Sequence, residues 1–150
     1  MAKGFDFRRA PGHLIRRAHQ VSWALFMAET AGFDVTPVQY AILNALLQAP
    51  GEDQVTLARN VAFDPATFGS VIARLEARGW VRREPDASDR RRKLLWVTAE
   101  GAEAARAMKR AVDRVQQRIL QPLAPAEREQ FMQLLGRLVA GHEDEPAVDA

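Results

Sequence analysis

The 150-residue sequence predicts a mainly α-helical protein with one small β-hairpin. Apolar residues recur at steps of three and four along most of the chain, which is the period of helices buried on one side. Two short apolar runs typical of strands flank a single polar turn at residues 84–89. The length suits one domain with its own core but not two independent domains.

The first two helices are expected at about residues 11–31 and from residue 37 onward. Gly32 ends the first helix, and Thr36 with Pro37 supplies a side-chain cap and a first-turn proline for the second. The second helix ends at Pro50-Gly51. The apolar stripe of the first helix is Leu14, Ala18, Val21, Leu25 and Ala28, and that of the second is Tyr40, Ile42, Leu43, Leu46 and Leu47.

A third and a fourth helix follow closely, at residues 55–61 and after the cap Asp64-Pro65. One side of the fourth helix must be buried, because Phe68, Val71, Ile72 and Leu75 fall at i, i+3, i+4 and i+7. Its other side is narrow, and carries Ala66, Thr67, Ser70, Ala73, Arg74 and Ala77. Two such helices in succession predict a helix-turn-helix, whose slim second helix fits the major groove of DNA.

A basic β-hairpin follows Gly79, with strands from Trp80-Val81 and at 94–97. It carries six cations against three carboxylates, for a net charge of +3. These are Arg82, Arg83, Arg90, Arg91, Arg92 and Lys93 against Glu84, Asp86 and Asp89. An isolated run of this kind is typical of a solvated turn, but beside a groove-reading helix it indicates a wing that contacts the minor groove or the phosphates.

Two more helices complete the chain, from 98 to about 121 and from Pro125 to Gly141. Their apolar seams are Ala105, Met108, Val112, Val115 and Ile119 in one, and Phe131, Leu134, Leu135, Leu138 and Val139 in the other. We expect both to have little to bury against within the winged region, which predicts a homodimer with interlocked first and last helices. A monomeric helical cap is the alternative.

Two segments resemble the MarR family of transcriptional regulators. Residues 88–101, SDRRRKLLWVTAEG, resemble the wing and the start of the next helix, and residues 71–81, VIARLEARGWV, resemble the recognition helix and its exit. The resemblance covers roughly residues 14–138. It implies a dimeric repressor of its own and neighbouring genes that binds a pseudo-palindromic operator and is released by a small aromatic or phenolic molecule. Residues 11–31 and 99–141 would then dimerise, 36–98 would bind DNA, and 142–150 would form an acidic tail.

The residues expected to contact DNA are Thr67, Ser70, Arg74, Arg90, Arg91 and Arg92. Arg74 can read a guanine edge, a contact worth about 1–3 kcal/mol of discrimination. The two hydroxyls would hold phosphates or bases. One tip arginine would enter a narrow minor groove, and another would pair with Asp86 or Asp89 instead. The sequence does not fix the hairpin register that assigns these roles.

The residues expected to bind the effector are His13, Arg17, His19, Trp23 and Tyr40. A ring would lie on the Trp23 indole and its carboxylate on an arginine. The alternative is a set of exposed arginines with a Trp at the dimer junction. Residues 12–17 and 36–40 resemble regulators of aromatic-acid breakdown, whereas relatives that sense urate suggest a pairing of Trp23 with Asp64, a residue otherwise explained as a helix cap.

Other functional classes lack their signatures. There is no cysteine, no phosphate-binding glycine loop and no nucleophile elbow, so we expect neither an enzyme nor a cofactor. His13, His19 and His142 lack metal-ligand spacing. No run approaches the roughly 20 apolar residues of a membrane span, and no signal peptide opens the chain, which predicts a cytoplasmic protein. A ligand-independent architectural DNA-binding protein, or a module whose wing binds an acidic partner, remain alternatives.

Overall fold

The computed structural model describes residues 6–143. After a 3-10 turn at Phe7–Arg9, the elements are α1 (Pro11–Glu29), α2 (Pro37–Gln48), β1 (Glu52–Asp53), α3 (Gln54–Asn60), α4 (Pro65–Ala77), β2 (Val81–Pro85), β3 (Lys93–Val97), α5 (Ala99–Leu120) and α6 (Pro125–Ala140). The prediction of a mainly helical fold with a small β wing is confirmed. The acidic tail lies outside the described residues beyond Glu143.

The helix starts coincide with the predicted caps. The Thr36 hydroxyl accepts a bond from the Gln39 amide at 3.4 Å, and the Thr36 amide donates back to Gln39 Oε1 at 2.9 Å. Asp64 Oδ1 accepts from the Ala66 amide at 3.2 Å at the start of α4. These local bonds satisfy amides that have no partner within the helix, so each helix begins where its cap stands.

The sheet has a third strand that the sequence did not predict. Glu52 pairs with Leu95 and Asp53 with Leu94, which gives the strand order β1-β3-β2. Two charged residues produce no apolar alternation, so the strand leaves no trace in the hydrophobic pattern. Because β1 leads directly into α3, this pairing ties the helix-turn-helix to the wing.

The core lies between the winged region and α5. Ile42, Ile72 and Leu95 are fully buried, and Met108 and Val115 of α5 join them. The expectation that α5 would find little to bury against within the winged region was therefore wrong. Its seam packs on α1 and α2, because steps of three and four serve a helix neighbour in the same chain as well as one in another.

Two helices keep apolar faces uncovered in the protomer. None of the residues of α6 is buried, and its large apolar side chains are 38–54% exposed; they are Phe131, Met132, Leu134, Leu135, Leu138 and Val139. In α1 only Phe26 is buried, and the exposed apolar residues are Leu14, Ile15, Val21, Trp23 and Met27. Contiguous apolar surface of this kind is typical of a protein interface.

A membrane span needs a longer and more apolar helix than any found between residues 6 and 143.

Candidate nucleic-acid interface and effector cleft

The α4 helix has one buried and one exposed side, as predicted. Phe68 and Ile72 face the core, whereas Thr67 and Ser70 face solvent. The Thr67 hydroxyl donates to Asp64 Oδ2 at 3.1 Å, and the Ser70 hydroxyl donates to the Thr67 carbonyl oxygen at 2.7 Å. Both hydroxyls have oxygen acceptors within the helix and lie on its accessible face, where rotation about χ1 turns them outward.

Ion pairs attach strand β2 to its surroundings. Arg83 donates to Glu76 Oε2 of α4 from Nη2 at 2.6 Å and from Nε at 3.2 Å. Arg82 pairs with Glu84 on the same strand, and its guanidinium carbon lies 5.5 Å from the centre of the Trp96 ring. Both carboxylates, Glu76 and Glu84, are therefore paired with arginines.

Arg92 is occupied within the protein. Its guanidinium lies 3.2 Å from Asp86 Oδ2 and 3.3 Å from Asp53 Oδ2. Asp53 also caps α3, accepting from the Thr56 amide at 3.1 Å and its hydroxyl at 2.7 Å. The bonds from Thr56, and then the Arg92 charge, lower the pKa of Asp53. Arg92 is thus the structural arginine of the wing, holding the hairpin to the start of α3.

The other two tip arginines differ in whether they form ion pairs or hydrogen bonds. Arg91 is 92% exposed and pairs with Asp89 at 3.1 Å, in part through its backbone amide. Arg90 has no hydrogen bond or ion pair with any other residue of the described chain. The local turn 86–89 thus engages Arg91 and Arg92, and Arg90 is the tip guanidinium whose donors are all available.

A cleft of about 440 Å³ opens between α1, α2, the end of α3 and α4. Its walls are mostly apolar, and the volume falls within the range of small-molecule sites. The lining residues are His19, Trp23, Thr36, Pro37, Val38, Gln39, Ala41, Val61, Phe63, Val71 and Arg74.

Two of the five predicted effector residues, His19 and Trp23, line this cleft, and the other three lie elsewhere. His13 contacts Arg16 at 3.1 Å, and Arg17 donates to Gln20 at 3.0 Å. A helix rises about 1.5 Å per residue, so position 13 is roughly 15 Å from position 23 along the axis. The Tyr40 ring instead packs against Phe26, with centroids 6.4 Å apart. The five residues therefore do not line one cleft of this chain, and the role of His13, Arg17 and Tyr40 in effector binding stays a prediction.

The cleft also contains the guanidinium of Arg74. From the sequence, Arg74 was expected only to contact DNA. It also borders a neighbouring cleft of about 390 Å³ near Met27 and Asp34. No hydrogen bond or ion pair joins its guanidinium to another residue between positions 6 and 143. The sequence did contain a sign of this second environment. Arg74 follows the buried Val71 by three residues, and that spacing places it at the border of the buried face of α4. Asp64 caps α4 and does not line the cleft with Trp23.

Within residues 6–143, no three side chains of His, Cys, Asp or Glu gather into a cluster that would hold a metal ion.

The short helix α3, the exposed face of α4 and the basic β2-β3 hairpin lie next to one another. This arrangement defines a winged helix-turn-helix protein. The chain belongs to the MarR family of transcriptional regulators: the MarR family model matches residues 33–92, and the transcriptional regulator HosA of Escherichia coli is 38% identical over 127 residues, 85% of this chain and 93% of that protein. It is accordingly a DNA-binding regulator and not an enzyme.

Two solved structures extend the likeness over nearly the whole chain. PcaV of Streptomyces coelicolor, in complex with its natural ligand, is 36% identical with a TM-score of 0.81 and covers 93% of this chain and 98% of its own. BpsR of Bordetella bronchiseptica, whose DNA binding is regulated by 6-hydroxynicotinic acid, is 31% identical with a TM-score of 0.86 and covers 91% and 98%.

Proposed function

We propose that this regulator is a homodimeric repressor of its own and neighbouring genes, released from a pseudo-palindromic operator by a small aromatic carboxylate. The observation that carries the DNA-binding part is the pairing of an exposed α4 face with a wing whose tip offers Arg90. Thr67, Ser70 and Arg74 would face the major groove, and Arg90 the minor groove or the phosphates.

The dimer is supported by the uncovered faces of α1 and α6. These apolar faces are exposed in the single chain, and a second copy related by two-fold symmetry would cover them. A dimer presents two α4 helices, so the operator half-sites would lie about one helical turn apart, roughly 34–36 Å.

The effector class is supported by the composition of the cleft. Trp23 and Phe63 offer ring surfaces, and Arg74 offers a guanidinium with no carboxylate partner in the described chain. A planar ring with one carboxylate complements this arrangement, because a guanidinium binds a carboxylate through two parallel hydrogen bonds. The response of BpsR to 6-hydroxynicotinic acid favours the same chemistry here.

The test is fluorescence anisotropy of the protein on DNA from upstream of its own gene, compared with random DNA at near-physiological salt. Hydroxybenzoates, hydroxycinnamates, 6-hydroxynicotinate and urate would be added in turn. Specific binding that one compound reverses is the expected result. Equal and steeply salt-dependent binding to both DNAs, unchanged by every compound, would instead favour the architectural function.

Arg90→Ala is expected to weaken operator binding by roughly 30-fold at 0.15 M salt, since a dimer would lose two phosphate-neutralising charges. The negative slope of log K against log salt concentration should become shallower by about 2. Anisotropy titrations across a salt series measure both quantities. Arg106→Ala, which removes an exposed arginine of α5, is the matched control. An Arg90 variant with an unchanged slope would show that the wing tip does not touch DNA.

Trp23→Ala is expected to keep the operator affinity and to lose at least ten-fold in effector potency, because the variant removes the largest ring surface of the cleft. The measurement is the effector concentration that half-releases labelled operator. Phe7→Ala, which removes an exposed ring outside the cleft, should leave that concentration unchanged. A full effector response from the Trp23 variant would place the effector site elsewhere.

A further inference from the structure

Arg74 stands where the DNA-facing side of α4 meets the effector cleft. It follows Ser70 by four residues and Thr67 by seven, so the three side chains form one column on the helix. The same residue lines the cleft together with Thr36 and Gln39 of the α2 start. A long side chain at this border reaches either side of it.

The neighbouring arginines are already engaged, and Arg74 is not. Arg78 donates to the carbonyl oxygens of Phe33 and Asp34, and its guanidinium lies 3.7 Å from the centre of the Trp80 ring. Arg83 is held by Glu76. These contacts fix both guanidiniums, whereas Arg74 has no such contact among residues 6–143. Among the residues that the structure describes, no carboxylate lines the effector cleft.

From this placement we infer that the effector and the operator compete for the Arg74 guanidinium, so that the effector removes a base contact by binding the residue that makes it. A carboxylate bound through two parallel bonds uses the same donor edge that would face guanine O6 and N7. The carboxylate and the guanine edge accept hydrogen bonds from the same donors, so they exclude each other at this side chain. This inference rests on the proposed effector cleft.

The effector could weaken operator binding by binding the Arg74 side chain, or by changing the distance between the two α4 helices of the dimer. These two mechanisms predict different operator affinities for the protein saturated with effector. The protein saturated with effector should bind the operator as weakly as Arg74→Ala does without effector, and no more weakly. Loss of this contact is worth roughly 5- to 150-fold per half-site. Binding to random DNA, which depends on the phosphates, should hardly change. A change in spacing would instead weaken the operator complex beyond the level of the variant.

The experiment compares the wild-type dimer with Arg74→Ala and Arg74→Lys on operator and random duplexes, with increasing 6-hydroxynicotinate or hydroxybenzoate. Effector binding is followed separately by quenching of tryptophan fluorescence. We expect the wild-type operator Kd to rise to a plateau equal to that of Arg74→Ala, and the Kd of Arg74→Ala to be insensitive to effector. Arg74→Lys, which keeps the charge but not the two-bond geometry, should lose both operator discrimination and effector affinity.

Four results would overturn it. If Arg74→Ala is still released by the effector, or if the wild-type plateau lies far above the Kd of the variant, the competition is overturned while the proposed cleft stands. If Arg74→Ala binds the operator as tightly as the wild type, Arg74 makes no base contact and the inference again fails. If no compound changes the fluorescence or anisotropy of the wild type, the effector cleft itself is wrong, and the inference fails with it.

Discussion

Leu135→Asp in α6 is expected to convert the protein to monomers and to abolish specific operator binding. Leu135 is 38% exposed in the protomer, on a helix of which no residue is buried there. In the proposed dimer this side chain would be covered, and an unpaired carboxylate in such a place costs several kcal/mol. Because the interface is two-fold symmetric, each dimer would contain two such carboxylates, and the cost would apply twice.

Loss of the dimer would lower DNA affinity steeply, because a monomer contacts one half-site. The expected change is from specific to near non-specific binding, about 10³-fold or more at physiological salt. Sedimentation equilibrium measures the mass and anisotropy measures the affinity, while circular dichroism verifies that the variant remains helical. Gln133→Asp, which adds the same charge at a polar position of α6, is the control and should remain dimeric. A dimeric Leu135→Asp protein would favour a monomeric-cap role for α6.

The parts of the fold that local chemistry determines were predictable. The Thr36 and Asp64 caps and the apolar period of α4 depend on residues within two turns of each other, so the sequence displays them directly. The partner of a helix is a different matter. The seam of α5 predicts a neighbouring helix without saying which one, and the structure supplies α1 and α2 of the same protomer.

The candidate site likewise contains some contacts that the sequence predicts and others that depend on tertiary packing. Asp64 and Arg91 bond to residues two positions away, which proximity in sequence suggests. The pairing of Arg92 with Asp53 joins residues 39 positions apart through a strand that has no hydrophobic signature, and no pattern predicts it. Arg74 was placed correctly on its helix, but its second environment depends on how α4 packs beside α2. Side-chain availability is therefore a property of the tertiary structure.

A single methyl group at the joint between the wing and α5 is expected to destabilise the protein. In Gly101→Ala the new Cβ would lie 2.2 Å from the carbonyl oxygen of Trp80 and 2.9 Å from its carbonyl carbon. These are backbone atoms, so α5 would have to move away. That shift would strain the 3.0 Å bond from the Thr98 amide to the Trp80 carbonyl and the 2.6 Å bond from its hydroxyl to the Gly79 carbonyl.

Overpacking of this kind costs about 1–3 kcal/mol, and we expect the upper end of that range because the obstructing atoms belong to the main chain. For a chain of this length, that corresponds to a fall in Tm of roughly 6–12 °C. Urea denaturation followed by circular dichroism measures the free energy of unfolding. Gly12→Ala is the matched control, since a Cβ there meets nothing within 4 Å and alanine favours the helix. Equal stability of the two variants would mean that α5 and the Trp80 backbone are separated more widely than in the structure.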